Sequence, residues 1–239
     1  MTVSQSLVAN LSALLMAAAA AGLLARRRAR LCWSFLAYLV ALILGNQLTV
    51  WFPDTFHSPG FWIAKTVVYD ALLSLIALEI ALLAFSGLPR ARLRAEMMLA
   101  LILLVFLGIG MLPTTSVGYP YLAMLGLVAP RGTAACLWLF VAVMGIAVWH
   151  RAPMHPFHRA LLLAFSLYLG METWLLGLVG IAAASRPAYM AAYAYLEALD
   201  PLAFAVTAGF WAWAAWRREP KAVLSPAVAH RLQPWAAQC

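Results

Sequence analysis

The chain has 239 residues, of which 66% are hydrophobic and only 10% are charged, and its formal net charge is +8. A soluble domain averages about 25% charged residues, so this composition excludes an ordinary soluble fold and predicts an integral membrane protein. The basic residues form short clusters between apolar runs rather than one basic face. This arrangement is typical of loops sorted by the positive-inside rule, and it argues against nucleic-acid binding.

Apolar runs of about 20 residues predict membrane-crossing helices, because 20 residues at 1.5 Å each span roughly 30 Å of hydrocarbon. Seven such runs occur in chain order, at Leu7–Leu24, Cys32–Phe52, Phe61–Phe85, Glu96–Leu112, Gly132–Trp149, His158–Ala184 and Tyr189–Trp216. The segment Pro113–Pro130 contains prolines and glycines, and we expect it to lie along the outer interface. The prediction is an all-α, polytopic membrane helix bundle: a seven-helix transmembrane domain over residues 1–216 and a short cytoplasmic tail over residues 217–239.

The charges at the ends of these runs predict the orientation of the chain. No basic residue precedes the first run and a cluster of arginines follows it, which is the reverse of a secretory signal peptide. If the N-terminus lies outside, every Lys and Arg except Lys65, Arg131 and Arg186 falls on the cytoplasmic side. We therefore expect a multi-pass protein of a bacterial inner membrane, with its N-terminus outside and its C-terminus in the cytoplasm.

Ionisable side chains inside the runs need a reason, because each one costs about 2.5–3.5 kcal/mol on insertion scales. The polar residues of comparable depth, from the middle to the outer half of their runs, are Asn46, Asp70, Glu172, Glu197 and Asp200. We predict that they converge on one outward-facing cavity, with Lys65 as a possible counter-charge at its mouth. Such a cavity would bind a cation, an amine or protons. The alternative is that the acids are protonated or hydrogen-bonded to tyrosines and serve helix packing.

Glu79 and the pair Asp200–Pro201 each allow an interpretation beyond the predicted cavity. Glu79 follows Asp70 by nine residues, which places it on the opposite side of the same helix and nearer the cytoplasm. It is therefore not expected to share the site. Pro201 follows Asp200, and a proline inside a helix removes one hydrogen bond and frees a carbonyl one turn earlier. This pair indicates either a hinge or cation site, or a simple kink.

No pattern in the chain indicates a cofactor, a metal or a catalytic group. The cysteines Cys32, Cys136 and Cys239 are widely spaced, and no histidine lies within the core of a run. The fifth loop contains His150, His155 and His158. We expect this cluster to be solvated at the interface; the alternative is that it binds a metal loosely. Phe204 stands one turn after Asp200 where a retinal protein needs a lysine. We therefore expect a protein without cofactor that is not an enzyme; the alternative of an intramembrane enzyme acting on lipid lacks a visible nucleophile, base or metal set.

The stretch Tyr69–Phe85 with its Glu79, and the helix end Phe210–Pro220, resemble uncharacterised seven-helix integral membrane proteins of acidobacteria and related soil bacteria. The resemblance implies the helix count and a bacterial inner membrane, and it implies no activity. Together with the residues above, it favours a sensor-like module or an accessory subunit of a membrane complex. Its partners would be the lipid bilayer and other membrane protein subunits. The alternative is a small-solute or proton-coupled transporter that uses the buried carboxylates.

Overall fold

The computed structural model describes residues 3–56, 58–85, 97, 129–152, 154–182 and 185–217, and within these ranges all regular structure is helical. The helices are α1 (Val3–Ala25), α2 (Trp33–Trp51), α3 (Pro53–Phe56), α4 (Pro59–Phe85), α5 (Ala129–Trp149), α6 (Pro156–Ala182) and α7 (Arg186–Trp216), with one 3-10 turn at Arg28–Leu31. All of them except the four-residue α3 are long and apolar enough to cross a membrane. The prediction of an all-helical, multi-pass membrane protein is thereby confirmed.

Several predicted boundaries need correction, because α1, α4, α5, α6 and α7 each begin two to four residues before the predicted run. The turn expected between the second and third runs contains α3, and α4 starts at Pro59. Arg186 and Pro187, expected in a turn, are the first residues of α7; proline is favoured in the first turn because its missing N–H would have no helical partner there. The predicted run Glu96–Leu112, most of Pro113–Pro130 and the tail from residue 218 lie outside the described residues.

The first and last described helices run in the same direction. Gly22 of α1 lies against Ala215 of α7, and earlier in both helices Leu15 lies near Gly209. The indole nitrogen of Trp216 donates to the carbonyl of Ala18 at 2.9 Å. Advancing along α1 therefore means advancing along α7.

The helices α4 and α5 also run in the same direction. The carboxylate of Asp70 lies against Gly132, and four residues later on each helix Ser74 Oγ lies 3.9 Å from Cys136 Sγ. By contrast, α2 is antiparallel to α4, since Ser34 meets Glu79 and Ala41 meets Tyr69. The helix α6 is antiparallel to α5, since Phe165 meets Phe140 and Gly170 meets Leu137. It is also antiparallel to α7, since Phe165 meets Trp211 and Tyr168 meets Asp200. Hence α1, α4, α5 and α7 point one way, and α2 and α6 point the other way.

Charge is unevenly divided between the two ends of this bundle. We call the end where α1, α4, α5 and α7 finish the arginine-rich end. It carries Arg26, Arg27, Arg28, Arg30, Arg151, Arg159 and Arg217. The basic residues near the opposite end of the described helices are Lys65, Arg131 and Arg186. This asymmetry is the one that the positive-inside rule describes.

A layer of aromatic side chains fills the interior towards the arginine-rich end. This aromatic layer consists of Phe35, Tyr38, Phe140, Phe157, Phe165 and Trp211. Phe165 is central to it, with its ring centroid 4.8 Å from those of Phe140 and Trp211. Lipid tails are as apolar as these rings, so close packing rather than hydrophobic transfer holds the helices together.

Arg28 fastens the connection between α1 and α2 to the end of α7. The side chain is buried, and its guanidinium donates to the carbonyl of Ala214 at 2.6 Å, of Ala215 at 3.2 Å and of Arg217 at 2.7 Å. The last carbonyls of a helix have no helical donor, and a cation there also interacts favourably with the helix dipole. Arg28 therefore acts as a C-terminal cap supplied from another part of the chain.

Candidate functional site

Three acidic side chains from three helices lie at one level of the bundle. Glu172 of α6 lies close enough to Asp200 of α7 and to Asp70 of α4 for both charges to act on it. Each residue stands 15 or 16 positions from the arginine-rich end of its helix, which at 1.5 Å per residue is about 23 Å. We call these three residues the acid cluster.

Two tyrosines adjoin the acid cluster. The hydroxyl of Tyr168 donates to Asp200 Oδ1 at 3.1 Å. Tyr38, from α2 and the aromatic layer, lies within electrostatic range of Glu172 and Asp70. Within the described chain, Asp200 is the one member of the cluster whose carboxylate accepts a hydrogen bond. The alternative reading, hydrogen bonding of the acids to tyrosines, therefore holds for Asp200, and among the described residues no tyrosine hydroxyl donates to Asp70 or Glu172.

Two glycines let α4 come close to its neighbours at this level. Any side-chain carbon on Gly132 of α5 would overlap the carboxylate of Asp70, and one on Gly45 of α2 would overlap the hydroxyl of Tyr69. Consecutive residues of α4 thus sit on glycines of two different helices. Sequence reasoning missed this feature, although a glycine inside an apolar run is the signal for close helix approach.

The floor of the site is the aromatic layer. Tyr168 extends this layer through Phe204, whose ring centroid is 5.5 Å away, and Phe204 in turn lies 6.0 Å from Trp211. Trp211 is fully buried, and its indole nitrogen has no hydrogen-bond partner in the described chain; the same is true of Ser166 Oγ and Thr173 Oγ1 on α6. Among the described residues, the interior near the acid cluster therefore has buried polar groups without a hydrogen-bond partner.

The other predicted members of the site do not join the cluster. Lys65 is half-buried, and its ammonium lies 5.9 Å from the centre of the Tyr69 ring rather than in an ion pair with Asp70. Asn46 is half-buried in α2, with no hydrogen bond to the acids among the described residues. Glu197 is exposed, one turn from Asp200. The structure thus brings together Asp70, Glu172 and Asp200 out of the larger predicted set.

Glu79 lies apart from the acid cluster, as its spacing from Asp70 predicted. Its carboxylate accepts hydrogen bonds from the backbone N–H groups of Trp33 and Ser34, both at 2.9 Å, and from the Ser34 hydroxyl. The first N–H groups of a helix lack internal partners, and a negative charge there is favoured by the helix dipole. Glu79 is therefore the N-terminal cap of α2, supplied by α4.

Cys32 is buried in the connection that precedes α2, and its reactivity follows from its surroundings. Burial, with a smaller contribution from the charge of Glu79, raises the pKa of the Cys32 thiol to about 12. The thiolate is the reactive form, and at neutral pH it is then about a thousandfold scarcer than in a free thiol. In a protein carrying Cys136→Ser and Cys239→Ser, we expect a maleimide to modify Cys32 only after denaturation. Rapid modification of the folded protein would contradict this assignment.

The histidines were expected to be solvated, and for His158 this prediction is wrong. Its ring is buried, and its Nε2 lies 3.0 Å from the carbonyl of Leu31, in the connection before α2. His155 Nδ1 accepts a hydrogen bond from the backbone N–H of Phe157 at 3.2 Å. Both residues thus organise the start of α6. In the described part of the chain, no three His, Cys, Asp or Glu side chains are grouped as metal ligands would be.

Comparison of the chain with protein families, with curated proteins and with solved structures finds no match. Carboxylates inside a membrane protein pair with one another, hold protons or compensate a cation. The acid cluster has the composition for these tasks, and Tyr168 supplies a hydrogen-bond donor beside it.

Proposed function

We propose that this chain is a sensor-like membrane module in which the acid cluster binds and releases protons. The proposal is carried by one observation: Asp70, Glu172 and Asp200 lie at one depth on three helices, with Glu172 within electrostatic range of the other two. Three ionised carboxylates repel each other strongly where the dielectric constant is low, so the cluster is stable only with bound protons or a cation. A change in proton occupancy changes the repulsion between α4, α6 and α7.

The same proposal assigns no catalytic step to the chain and gives the readout to partner subunits in the membrane. The described connections between consecutive helices are short, so little of this part of the chain lies outside the bilayer. A change in the spacing of α4, α6 and α7 is then transmitted to proteins that pack beside these helices. Passing a change in helix spacing to neighbouring proteins is the behaviour expected of an accessory subunit rather than of an enzyme.

We further propose seven spans in a bacterial inner membrane, with the N-terminus outside. Because α4 ends at the arginine-rich end and α5 begins at the other, we propose that the 43 residues between Phe85 and Ala129 cross the bilayer once. The predicted run Glu96–Leu112 is apolar enough to do so. The placement of the arginines favours a cytoplasmic arginine-rich end, and the resemblance to seven-helix proteins of acidobacteria and related soil bacteria is consistent with it.

A proton-coupled transporter is the second candidate, and Pro201 favours it. The helix α7 continues through this proline, directly after Asp200. Because proline has no N–H, the carbonyl of Glu197 lacks its usual helical donor, and the helix is easier to bend there. A hinge beside a proton-binding carboxylate is what alternating access would need.

The proposed function is tested by infrared spectroscopy of the purified protein in lipid nanodiscs during a pH titration. We expect carboxylic-acid carbonyl bands that disappear as the pH rises, because the cluster releases its protons. Asp70→Asn, Glu172→Gln and Asp200→Asn should each remove intensity from these bands and shift the midpoint of the remaining ones. The shift follows because the members of the cluster interact.

Two matched substitutions serve as controls. Glu79→Gln removes an acid that caps α2, and Glu197→Gln removes an exposed acid one turn from Asp200. Neither should change the titration of the cluster bands. If all five variants titrate alike, the cluster is not a proton site. Proton-driven solute uptake into liposomes that is lost in Asp200→Asn would select the transporter over the sensor.

A further inference from the structure

A groove at the arginine-rich end, between α5 and α6, is separate from the acid cluster. It encloses about 490 Å³. Its apolar wall includes Met144, Val148, Leu162 and Leu163, and its rim carries Arg151 and Arg159. Val148 is 73% exposed and Leu163 47% exposed, so the apolar wall opens sideways, towards the position of the bilayer.

The two arginines are held at the rim by the backbone. Arg151 has a left-handed conformation with φ 48°, which is uncommon for a residue with a side chain. The hydrogen bonds from Arg151 N to the carbonyl of Val148 and from Ala152 N to the carbonyl of Ala147 fix this turn. Arg159 lies in the first turn of α6. Both side chains are exposed, and neither forms an ion pair with the part of the chain that the structure describes.

The groove also lies at the depth of a membrane interface. Trp149, the last residue of α5, is 84% exposed directly before the turn that carries Arg151. Exposed tryptophans at helix ends are typical of the headgroup level of a bilayer. Positive charge above and an apolar wall below therefore follow the order of a phospholipid, with its phosphate outward and its acyl chains inward.

We propose that this groove binds an anionic glycerophospholipid from the leaflet at the arginine-rich end. The guanidinium groups of Arg151 and Arg159 hold the phosphate, for which arginine offers paired N–H donors. The start of α6 adds the positive end of a helix dipole on the same side. One acyl chain lies along Met144, Val148 and Leu163. Basic pockets between transmembrane helices on the cytoplasmic side recognise such headgroups in the same way.

The test measures how strongly purified protein in detergent retains phosphatidylglycerol, using native mass spectrometry with a lipid titration. Each arginine near an anionic membrane surface contributes about 1 kcal/mol, which corresponds to roughly a fivefold change in affinity. We expect Arg151→Gln and Arg159→Gln to weaken binding by about fivefold each and the double variant by about 25-fold. Phosphatidylcholine, whose headgroup has no net charge, should bind the unaltered protein more weakly.

Matched controls separate this site from general attraction to charge. Arg186→Gln removes an exposed arginine at the opposite end, and Arg30→Gln removes an exposed arginine at the same end that does not line the groove; both should leave the affinity unchanged. Equal losses in these controls would overturn the site. Glycerol phosphate without acyl chains should not compete, and competition at the same concentration as the lipid would show a phosphate site instead. Thermal unfolding identifies any variant that fails to fold.

Discussion

Glu79→Ala is expected to lower the free energy of unfolding by about 2–4 kcal/mol, since hydrogen bonds to a charged group contribute about 1.5–3 kcal/mol and a helix cap typically about 1. The carboxylate holds the backbone N–H groups of Trp33 and Ser34 and the hydroxyl of Ser34. Removing the carboxylate leaves the N–H groups of Trp33 and Ser34 without this acceptor. It also removes these hydrogen bonds between α2 and α4. The measurement is unfolding of the purified protein in mixed detergent micelles, followed by circular dichroism.

Variants of graded severity make this prediction specific. Glu79→Gln keeps one oxygen acceptor but replaces the other by an amide nitrogen, which donates only, so its loss should lie between those of the unaltered protein and Glu79→Ala. Glu197→Ala removes an exposed acid and should change the free energy of unfolding by no more than about 0.5 kcal/mol. Equal stability of all three variants would show that Glu79 does not cap α2.

The different roles of Glu79 and the acid cluster illustrate what the sequence predicts well. Helical periodicity and apolar length are local properties, so the spans and the separation of Glu79 from Asp70 follow from counting residues. Depth alone predicted that Asn46, Asp70, Glu172, Glu197 and Asp200 converge, and of these Asp70, Glu172 and Asp200 lie close to one another. Depth is nearly a local property too, because it depends only on the distance from a helix end.

Properties that depend on the neighbouring helix were not predicted. The cap on α2 joins residues 45 and 46 positions apart, and nothing near Trp33 or Ser34 indicates the partner. Glu197 has the right depth but is exposed, because the direction of a side chain matters only relative to the helices around it. His158 was misjudged for the same reason, since the carbonyl of Leu31 that it meets comes from a distant connection.

The direction of the helices is predicted by local sequence and is also shown by contacts between helices. Charge placement predicts alternating crossings from local sequence, and the contacts of Asp70 with Gly132 and of Ser74 with Cys136 give the parallel arrangement of α4 and α5 independently. The proposed topology has residues 86–128 return the chain across the bilayer between α4 and α5. Labelling of introduced cysteines tests this topology.

The test is cysteine accessibility in intact cells, and its expected outcome is all or none. In a protein with Cys32→Ser, Cys136→Ser and Cys239→Ser, we expect a membrane-impermeant maleimide to modify Ser58→Cys, at the end opposite to the arginines, and not Arg30→Cys. Arg92→Cys, seven positions beyond the end of α4, should be protected in the same way as Arg30→Cys.

Labelling of inverted membrane vesicles, in which the opposite face of the membrane is accessible, serves as the control. In inverted membrane vesicles the pattern should reverse, with Arg30→Cys and Arg92→Cys modified and Ser58→Cys protected, because the arginine-rich end then faces the reagent. Modification of Arg92→Cys from outside, while Arg30→Cys stays protected, would place the two sites on different sides. The direction of α4 would then be wrong, and with it the common depth of Asp70, Glu172 and Asp200 on which proton exchange by the acid cluster depends.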